Sequence, residues 1–179
     1  MTERDGSGNG QRIAAALGRL RDTLARRADF GRHTGSSVST LVGGLRCSTE
    51  AGAWTIETDL HPALGGDGSA PSPSVLLSAA LGACLAMRYQ MLAAEEGIEL
   101  SAVRVTVETD SELRGLLQPD AAAPAGFTDV RYRVELDSPA PTSDLQRMVD
   151  QADRLSPVLD ALTRANRVQR TIAINERIA

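Results

Sequence analysis

The chain has 179 residues, of which 42% are hydrophobic and 23% are charged, a balance typical of one globular domain. All 19 basic residues are arginine, which excludes Schiff-base catalysis and a phosphate-binding P-loop lysine. The net charge of −4 argues against a nucleic-acid partner, because such binding depends on clustered positive charge. The two cysteines lack metal-ligand spacing, so we predict no metal site and no cofactor.

Residues 1–30 are predicted to form an N-terminal extension ahead of a domain at 31–179. The first ten residues are polar and rich in glycine, which favours disorder. The hydrophobic residues that follow recur at helical spacing, as Ile13, Leu17, Leu20 and Leu24. This spacing predicts an amphipathic helix, which either packs on its own domain or acts as a dimer-contact arm. The extension has no secretory signal pattern, so we expect a cytoplasmic protein.

The segment from Ser37 to Asp59 is rich in β-branched residues and predicts a hairpin of two strands. A break at Glu50–Gly52 separates the strands, and Gly43–Gly44 is a candidate bulge. The next segment, which begins at His61, is dense in Gly, Pro, Ser and Asp, so we expect an irregular surface loop. Loops of this kind often line functional sites.

A long apolar helix is predicted after this loop. The Ser72 side chain can cap it, and Pro73 suits the first helical position. Nearly every residue from Val75 to Met87 is hydrophobic, so protein must cover this helix on almost every side. Arg88 ends the apolar run before it reaches the length of a membrane span, so we expect a soluble protein without a membrane partner.

Two strands are predicted beyond a helix C-cap at Gly97. Apolar and polar residues alternate over 102–109 and again over 130–136, on either side of a long loop, and the two strands can pair antiparallel.

The remaining elements complete an α+β fold. A helix is predicted to start at Thr142 or Ser143, and a shorter one follows Ser156–Pro157, with Ser156 as its N-cap. Residues 168–174 are predicted to form a closing strand. The order of the elements predicts a mostly antiparallel sheet against one long central helix.

The segment LGGDGSAPSPSVLLSAALGACLAMRYQMLAAEEGIELSAVRVTV resembles the OsmC/Ohr family of osmotically inducible and organic hydroperoxide resistance proteins. The similarity rests on the GG loop, the Pro-x-Pro helix start and the ALGAC helix centre. It continues through RGLL, GFTDVRYRVELD and LSPVLDAL, and so covers roughly residues 37–174. The resemblance implies an OsmC-like fold and an intertwined homodimer, with sheets wrapped around paired central helices and two active sites at the subunit interface.

The resemblance also implies a redox role in oxidative stress for Cys84, the cysteine of the central helix. In such proteins this cysteine attacks an organic hydroperoxide and becomes a sulfenic acid, which a second cysteine captures as a disulfide. The second cysteine usually lies just before a Pro-Val pair, where this chain has Ser156, so the resolving cysteine is missing. The family's glutamate near the helix start is missing too, since Ser74 and Val75 stand there. Arg46 is the candidate arginine that stabilises the thiolate.

Several side chains near this site have two interpretations each. On the substrate side we expect Ser74, Leu77 and Met87, together with His61, which is either a pocket residue or a solvated turn residue. Cys47 is either a core residue or a substitute resolving thiol. Arg88 either influences the thiol electrostatically, or faces solvent or pairs with Glu95 or Glu96 at the interface.

These observations lead to two alternative functions. The first is a thiol peroxidase that reduces organic hydroperoxides at Cys84, with an external thiol, a lipoyl-type dithiol among the candidates, as reductant. The second is a non-catalytic family member that binds a small apolar ligand in the dimer-interface cavity. A structural dimer that associates through its N-terminal helix is a third possibility.

Overall fold

A 24-residue helix lies at the centre of the computed structural model, which describes residues 6–27, 29–118 and 122–175. The helices are α1 (Gly6–Arg26), α2 (Pro73–Glu96), α3 (Leu113–Leu117), α4 (Thr142–Arg154) and α5 (Pro157–Thr163). The strands are β1 (Val38–Gly43), β2 (Arg46–Ala51), β3 (Trp54–Thr58), β4 (Ala102–Ser111) and β5 (Phe127–Asp137). The predicted α+β fold with antiparallel sheets is confirmed.

The central helix α2 begins and ends where the sequence predicts. The Ser72 hydroxyl accepts a hydrogen bond from the backbone N–H of Val75 at 3.4 Å, and Pro73 occupies the first helical position. Gly97 follows the last helical residue and donates its N–H to the carbonyl of Ala93. Both ends of the helix that carries Cys84 are therefore fixed by local interactions.

Strands β4 and β5 form a long antiparallel ladder that packs on α2, as predicted. Alternate residues of β4, such as Val105 and Val107, turn towards the helix and are half-buried, while their neighbours are exposed. The helix approaches closely at Gly82, where a Cβ atom would lie 3.4 Å from the Val107 side chain. Helices α4 and α5 also pack on α2. The buried hydrophobic residues lie on α2 and α4, namely Leu81, Leu85, Tyr89, Leu92, Ala93, Met148 and Ala152.

Strands β1, β2 and β3 form a separate three-stranded antiparallel meander. The prediction of two strands was wrong, because a two-residue turn at Gly44–Leu45 divides the first predicted strand. Gly44 has a φ of +53°, which a tight hairpin turn needs at this position and a glycine adopts without strain. The predicted irregularity is present just before the turn, where the register shifts between Leu41 and Gly43.

The prediction of a closing strand at 168–174 was also wrong. Residues 165–174 belong to no helix or strand, and Val168 is 90% exposed. A strand needs a neighbouring strand edge for its backbone hydrogen bonds, and within the described residues this segment has none. The loop between β4 and β5 contains a short helix, α3, that was not predicted.

The N-terminal helix α1 packs on α2, and Arg21 forms an ion pair with Glu95 at 2.6 Å. The structure thus confirms that this helix packs on its own domain. The helix starts at Gly6, so the expected disorder of residues 1–10 was wrong for 6–10; residues 1–5 lie outside the described ranges.

Helix α2 has the length and apolar composition of a membrane-spanning helix. In the structure, however, α1, β4, α4 and α5 all pack against it. These contacts make it the central helix of the fold.

Candidate functional site

The most informative contact of the molecule joins Cys84 in α2 to Ser156 at the junction of α4 and α5. The Cys84 Sγ atom lies 3.4 Å from the Ser156 Oγ atom, within hydrogen-bonding distance for sulfur. Cys84 is half-buried and Ser156 is fully buried. The resemblance implied that residue 156 stands where other family members have their second cysteine, and the structure brings these two side chains together.

Ser156 is held in place by its role as the N-cap of α5. Its hydroxyl oxygen accepts a hydrogen bond from the backbone N–H of Leu159 at 3.4 Å, and Pro157 takes the first helical position, as predicted. A serine hydroxyl has one proton and two lone pairs, so accepting this bond leaves its proton free. The geometry therefore allows the Ser156 proton to point at the sulfur of Cys84.

A partly buried hydrogen-bond cluster lies beside this contact. The Asp153 carboxylate accepts a hydrogen bond from the Tyr89 hydroxyl at 2.7 Å and another from the Tyr132 hydroxyl at 2.8 Å. Burial, together with the nearby Asp153 carboxylate, raises the pKa of Tyr132 to about 12 and raises that of Tyr89 as well. Both phenols therefore stay protonated and act as donors near neutral pH.

Arg46, the predicted thiolate-stabilising residue, is exposed on β2. Its guanidinium Nε donates to the Glu57 carboxylate on the neighbouring strand at 3.2 Å. Within the described chain Glu57 is the hydrogen-bond partner of Arg46, and Arg46 forms no hydrogen bond with Cys84. Its proposed role stays a prediction.

Arg88 follows Cys84 by one helical turn, and its Nε atom is buried without a hydrogen-bond partner among the described residues. The two glutamates considered as its partners pair elsewhere. Glu95 contacts Arg21, and Glu96 forms two hydrogen bonds with Arg147. Within the described chain Arg88 therefore contacts neither glutamate, and both interpretations of Arg88 stay predictions.

The residues expected on the substrate side do not form one pocket within the single chain. Ser74, Leu77 and Met87 all lie on α2 and are exposed, Met87 by 62%. His61 lies in the preceding loop, where its Nδ1 atom accepts a hydrogen bond from the Ala63 N–H at 3.2 Å. This contact places His61 at the N-cap of a short 3₁₀ turn, and its pocket role, like the substrate contacts of the other three, stays a prediction.

The exposed side of α2 is apolar and borders the cysteine. Leu76, Ala80, Ala83 and Met87 recur at helical spacing, so they share one face of the helix. All but the half-buried Leu76 are exposed, and Cys84 lies at the edge of this face. The sequence predicts that protein covers this helix on nearly every side, yet the described chain leaves this face open.

A second concave region lies between the meander and the start of α2. This cavity of about 390 Å³ is lined by Ser39, Leu45, Cys47, Thr49, Thr58, Asp59, Leu60, Pro73 and Leu76. Its wall is largely apolar, with a few hydroxyl groups and the half-buried thiol of Cys47. Cys47 thus faces a cavity, and its thiol contacts the Ser48 carbonyl oxygen at 3.9 Å.

The loop between β3 and α2 is organised by Asp59, which is 2% exposed. Its carboxylate accepts hydrogen bonds from the N–H groups of Leu60, Asp67 and Ser69 and from the Ser69 hydroxyl. These bonds, those from Ser69 above all, hold the pKa of Asp59 below its usual range. Gly66 is required in the same loop, because a Cβ atom there would lie 2.0 Å from the Leu60 carbonyl oxygen.

Sequence reasoning did not identify Asp153, Tyr89 or Tyr132 as parts of one cluster. Tyr132 was recognised only as an apolar position of an alternating strand. A usable signal was present, since Tyr89 follows Leu85 at helical spacing and Tyr132 occupies an apolar position of an alternating strand. A tyrosine hydroxyl buried in this way needs a hydrogen-bond partner.

Comparison with known proteins supports a family assignment. The family model described as OsmC-like protein matches residues 66–170, more than half of the chain. No functionally curated protein matches significantly.

Solved structures of similar fold come from several bacteria. An OsmC-like protein from Mycoplasma pneumoniae aligns with a TM-score of 0.61 at 15% identity, over 73% of this chain and 87% of its own. An organic hydroperoxide resistance protein OsmC from Legionella pneumophila aligns with a TM-score of 0.54 at 21% identity, over 73% of this chain and 90% of its own. An OsmC-like protein from Vibrio cholerae aligns with a TM-score of 0.60 at 14% identity, over 74% of this chain and 95% of its own. At such identities these structures establish the fold alone, and together with the family model they show that the chain belongs to the OsmC-like protein family.

Proposed function

We propose that this protein is a thiol-dependent reductase of organic hydroperoxides that uses Cys84 as its single redox-active residue. The observation that carries the proposal is the 3.4 Å contact between Cys84 and Ser156, a thiol and a hydroxyl in the position of the family's cysteine pair. Support also comes from family membership and from solved structures of this fold that are named organic hydroperoxide resistance proteins.

The proposed reaction is a two-electron oxidation of the thiolate. The Cys84 sulfur attacks the distal oxygen of the hydroperoxide, the O–O bond breaks, and the alkoxide leaves as an alcohol after taking up a proton. Cys84 becomes a sulfenic acid. A first external thiol then forms a mixed disulfide with Cys84 and releases water, and a second thiol displaces Cys84 as a thiolate.

Ser156 determines that the reductant must be external. A serine hydroxyl cannot form a disulfide, so the sulfenic acid of Cys84 has no partner at the position that it contacts. Cys47 lies on β2 at a different cavity. A dithiol of the lipoyl type suits this mechanism, because its second thiol attacks the mixed disulfide intramolecularly.

A homodimer is part of the proposal. The meander carries exposed Leu41, Val42 and Trp54, and the uncovered face of α2 adds Met87. Exposed apolar residues in this number mark an interaction site. A second copy of the chain that covers the α2 face would also enclose Cys84, which lies at its edge. We further propose a cytoplasmic location, where thiol reductants are available.

The 390 Å³ cavity favours a second candidate function, the binding of a small apolar ligand without catalysis. Its volume and largely apolar wall are typical of small-molecule sites. In this case Cys84 would be a packing residue, and the hydroperoxide would not react with it.

Peroxide consumption distinguishes the two candidates. We expect the protein to consume cumene hydroperoxide with dihydrolipoamide as reductant, and to lose this activity in Cys84→Ser. Cys47→Ser is the matched control, since it removes the other thiol and should retain the activity. Mass spectrometry without reductant should show one added oxygen atom on Cys84. If Cys84 stays unmodified and Cys84→Ser consumes peroxide like the parent protein, the reductase proposal is wrong.

A further inference from the structure

We infer that Asp153 is the positioning residue of this site: held by the hydroxyls of Tyr89 and Tyr132, it fixes the α4–α5 junction so that Ser156 stays opposite Cys84. The inference deepens the proposed function, on which its catalytic significance rests. The effect of Asp153 on the position of Ser156 can be measured without any catalytic activity.

The cluster joins the elements that carry the two partners. Tyr89 lies on α2, five residues after Cys84, and Tyr132 lies on β5. Asp153 lies in the last turn of α4, three residues before Ser156. One carboxylate thus connects the cysteine helix, the sheet and the segment that presents Ser156.

The backbone between Asp153 and Ser156 is short and is restrained by hydrogen bonds. The Ser156 backbone N–H donates to the Asp153 carbonyl at 3.2 Å, and the Leu155 N–H donates to that of Ala152 at 3.0 Å. Pro157 follows directly and restricts the backbone further. A displacement of Asp153 is therefore transmitted to Ser156.

The hydrogen bonds of the cluster are strong enough to act as a restraint. A bond to a carboxylate is shorter and stronger than one between neutral groups, and each tyrosine binds a different oxygen of Asp153. Tyr89 is fully buried, so its hydroxyl has no water to replace Asp153. Reactive geometry depends on displacements of about 0.5 Å, which a restraint of this kind can prevent.

A disulfide built into the site measures this restraint directly. In a Cys47→Ser background, Ser156→Cys places a thiol where the Ser156 hydroxyl now contacts Cys84. Equilibrium with a glutathione redox buffer gives the effective concentration of the two thiols for each other. Adding Tyr132→Phe should lower this effective concentration at least tenfold, because the phenylalanine keeps the ring but releases one carboxylate oxygen.

The matched control is Ser138→Ala, which removes a hydrogen bond from the Ser138 hydroxyl to the Glu99 carbonyl, a bond outside the Asp153 cluster that lies just beyond the C-terminal end of α2. It should leave the effective concentration unchanged even where it lowers global stability. Tyr89→Phe provides an independent second measurement, for which we expect the same fall as with Tyr132→Phe.

Two results would overturn the inference: equal effective concentrations in the tyrosine variants and the control, or failure of the parent Ser156→Cys protein to form the disulfide. The proposed function can fail separately. Absence of peroxide consumption, together with a lowered effective concentration in both tyrosine variants, would refute the reductase and leave the positioning role of Asp153 standing.

Discussion

The two sheets of this protein differ in how their apolar residues are covered. The β4–β5 ladder packs on α2, and the core between the sheet and the helices contains fully buried residues such as Leu85 and Met148. The meander has no buried hydrophobic residue among its three strands. Leu41 there is 66% exposed and Trp54 is 76% exposed.

The difference shows which part of the fold one chain completes. Residues of similar hydrophobicity occur in both sheets, so composition does not explain why one is covered and the other is not. A single set of helices covers one sheet face, and nothing in the described chain covers the other. The exposed meander is a surface that the proposed homodimer would cover.

The largest expected effect is on the free energy of unfolding, and it comes from replacing a leucine by alanine in the core rather than in the meander. Leu85→Ala should lower the free energy of unfolding by about 2–5 kcal/mol, because it leaves a cavity in a packed core. Leu41→Ala, made as the matched control, should change it by less than about 0.5 kcal/mol. Urea unfolding at low protein concentration measures both. Comparable losses in the two variants would show that the meander also has a packed core within one chain.

The meander should instead matter for association. Trp54→Arg places a charge on its exposed apolar surface and should raise the dissociation constant of the dimer at least tenfold, about 1.4 kcal/mol. Thr106→Arg puts the same charge on the polar outer face of β4 and is the control. Sedimentation velocity over a concentration series measures the constants. A parent protein that stays monomeric throughout, or equal constants for both variants, would contradict the proposed interface.

Much of the fold could be predicted from the sequence, because its signals are local. Ser72 and Pro73 mark the start of α2, and Gly97 marks its end. The alternating residues of β4 and β5 indicate the face of each strand, and their antiparallel pairing follows from that pattern. The division of the first predicted strand into β1 and β2 was not predicted, because the sequence at Gly43–Gly44 suits a bulge as well as a turn.

The candidate site was less predictable, because its contacts join distant positions. Cys84 and Ser156 are 72 residues apart in the chain, and no spacing rule connects them. The family resemblance indicated residue 156, but the Asp153 cluster depends on three elements that meet only after folding. Residues 168–174 have the residue pattern of a strand but form none, because no strand edge lies beside them within the described chain.

The smallest expected effect concerns the loop that connects the two regions. Asp59 holds this loop through hydrogen bonds to its ionised carboxylate, and its pKa lies below the usual value of 3.8. A carboxyl group with a lowered pKa stabilises the fold above its unfolded-state pKa, and this contribution is lost as the pH falls through the folded-state pKa. Stability should therefore decline in acid, below about pH 4.

Asp59→Asn should lower the unfolding temperature near neutral pH and make it less dependent on pH between about 3 and 5. The control is Asp160→Asn, since Asp160 also has a lowered pKa but lies exposed on α5, paired with Arg164. Exposed pairs contribute little to stability, so this variant should change the unfolding temperature less. Thermal unfolding across this pH range compares the two. An equal effect of both substitutions would contradict this prediction. It would mean that the hydrogen bonds of Asp59 contribute no more to stability than the exposed ion pair of Asp160 and Arg164.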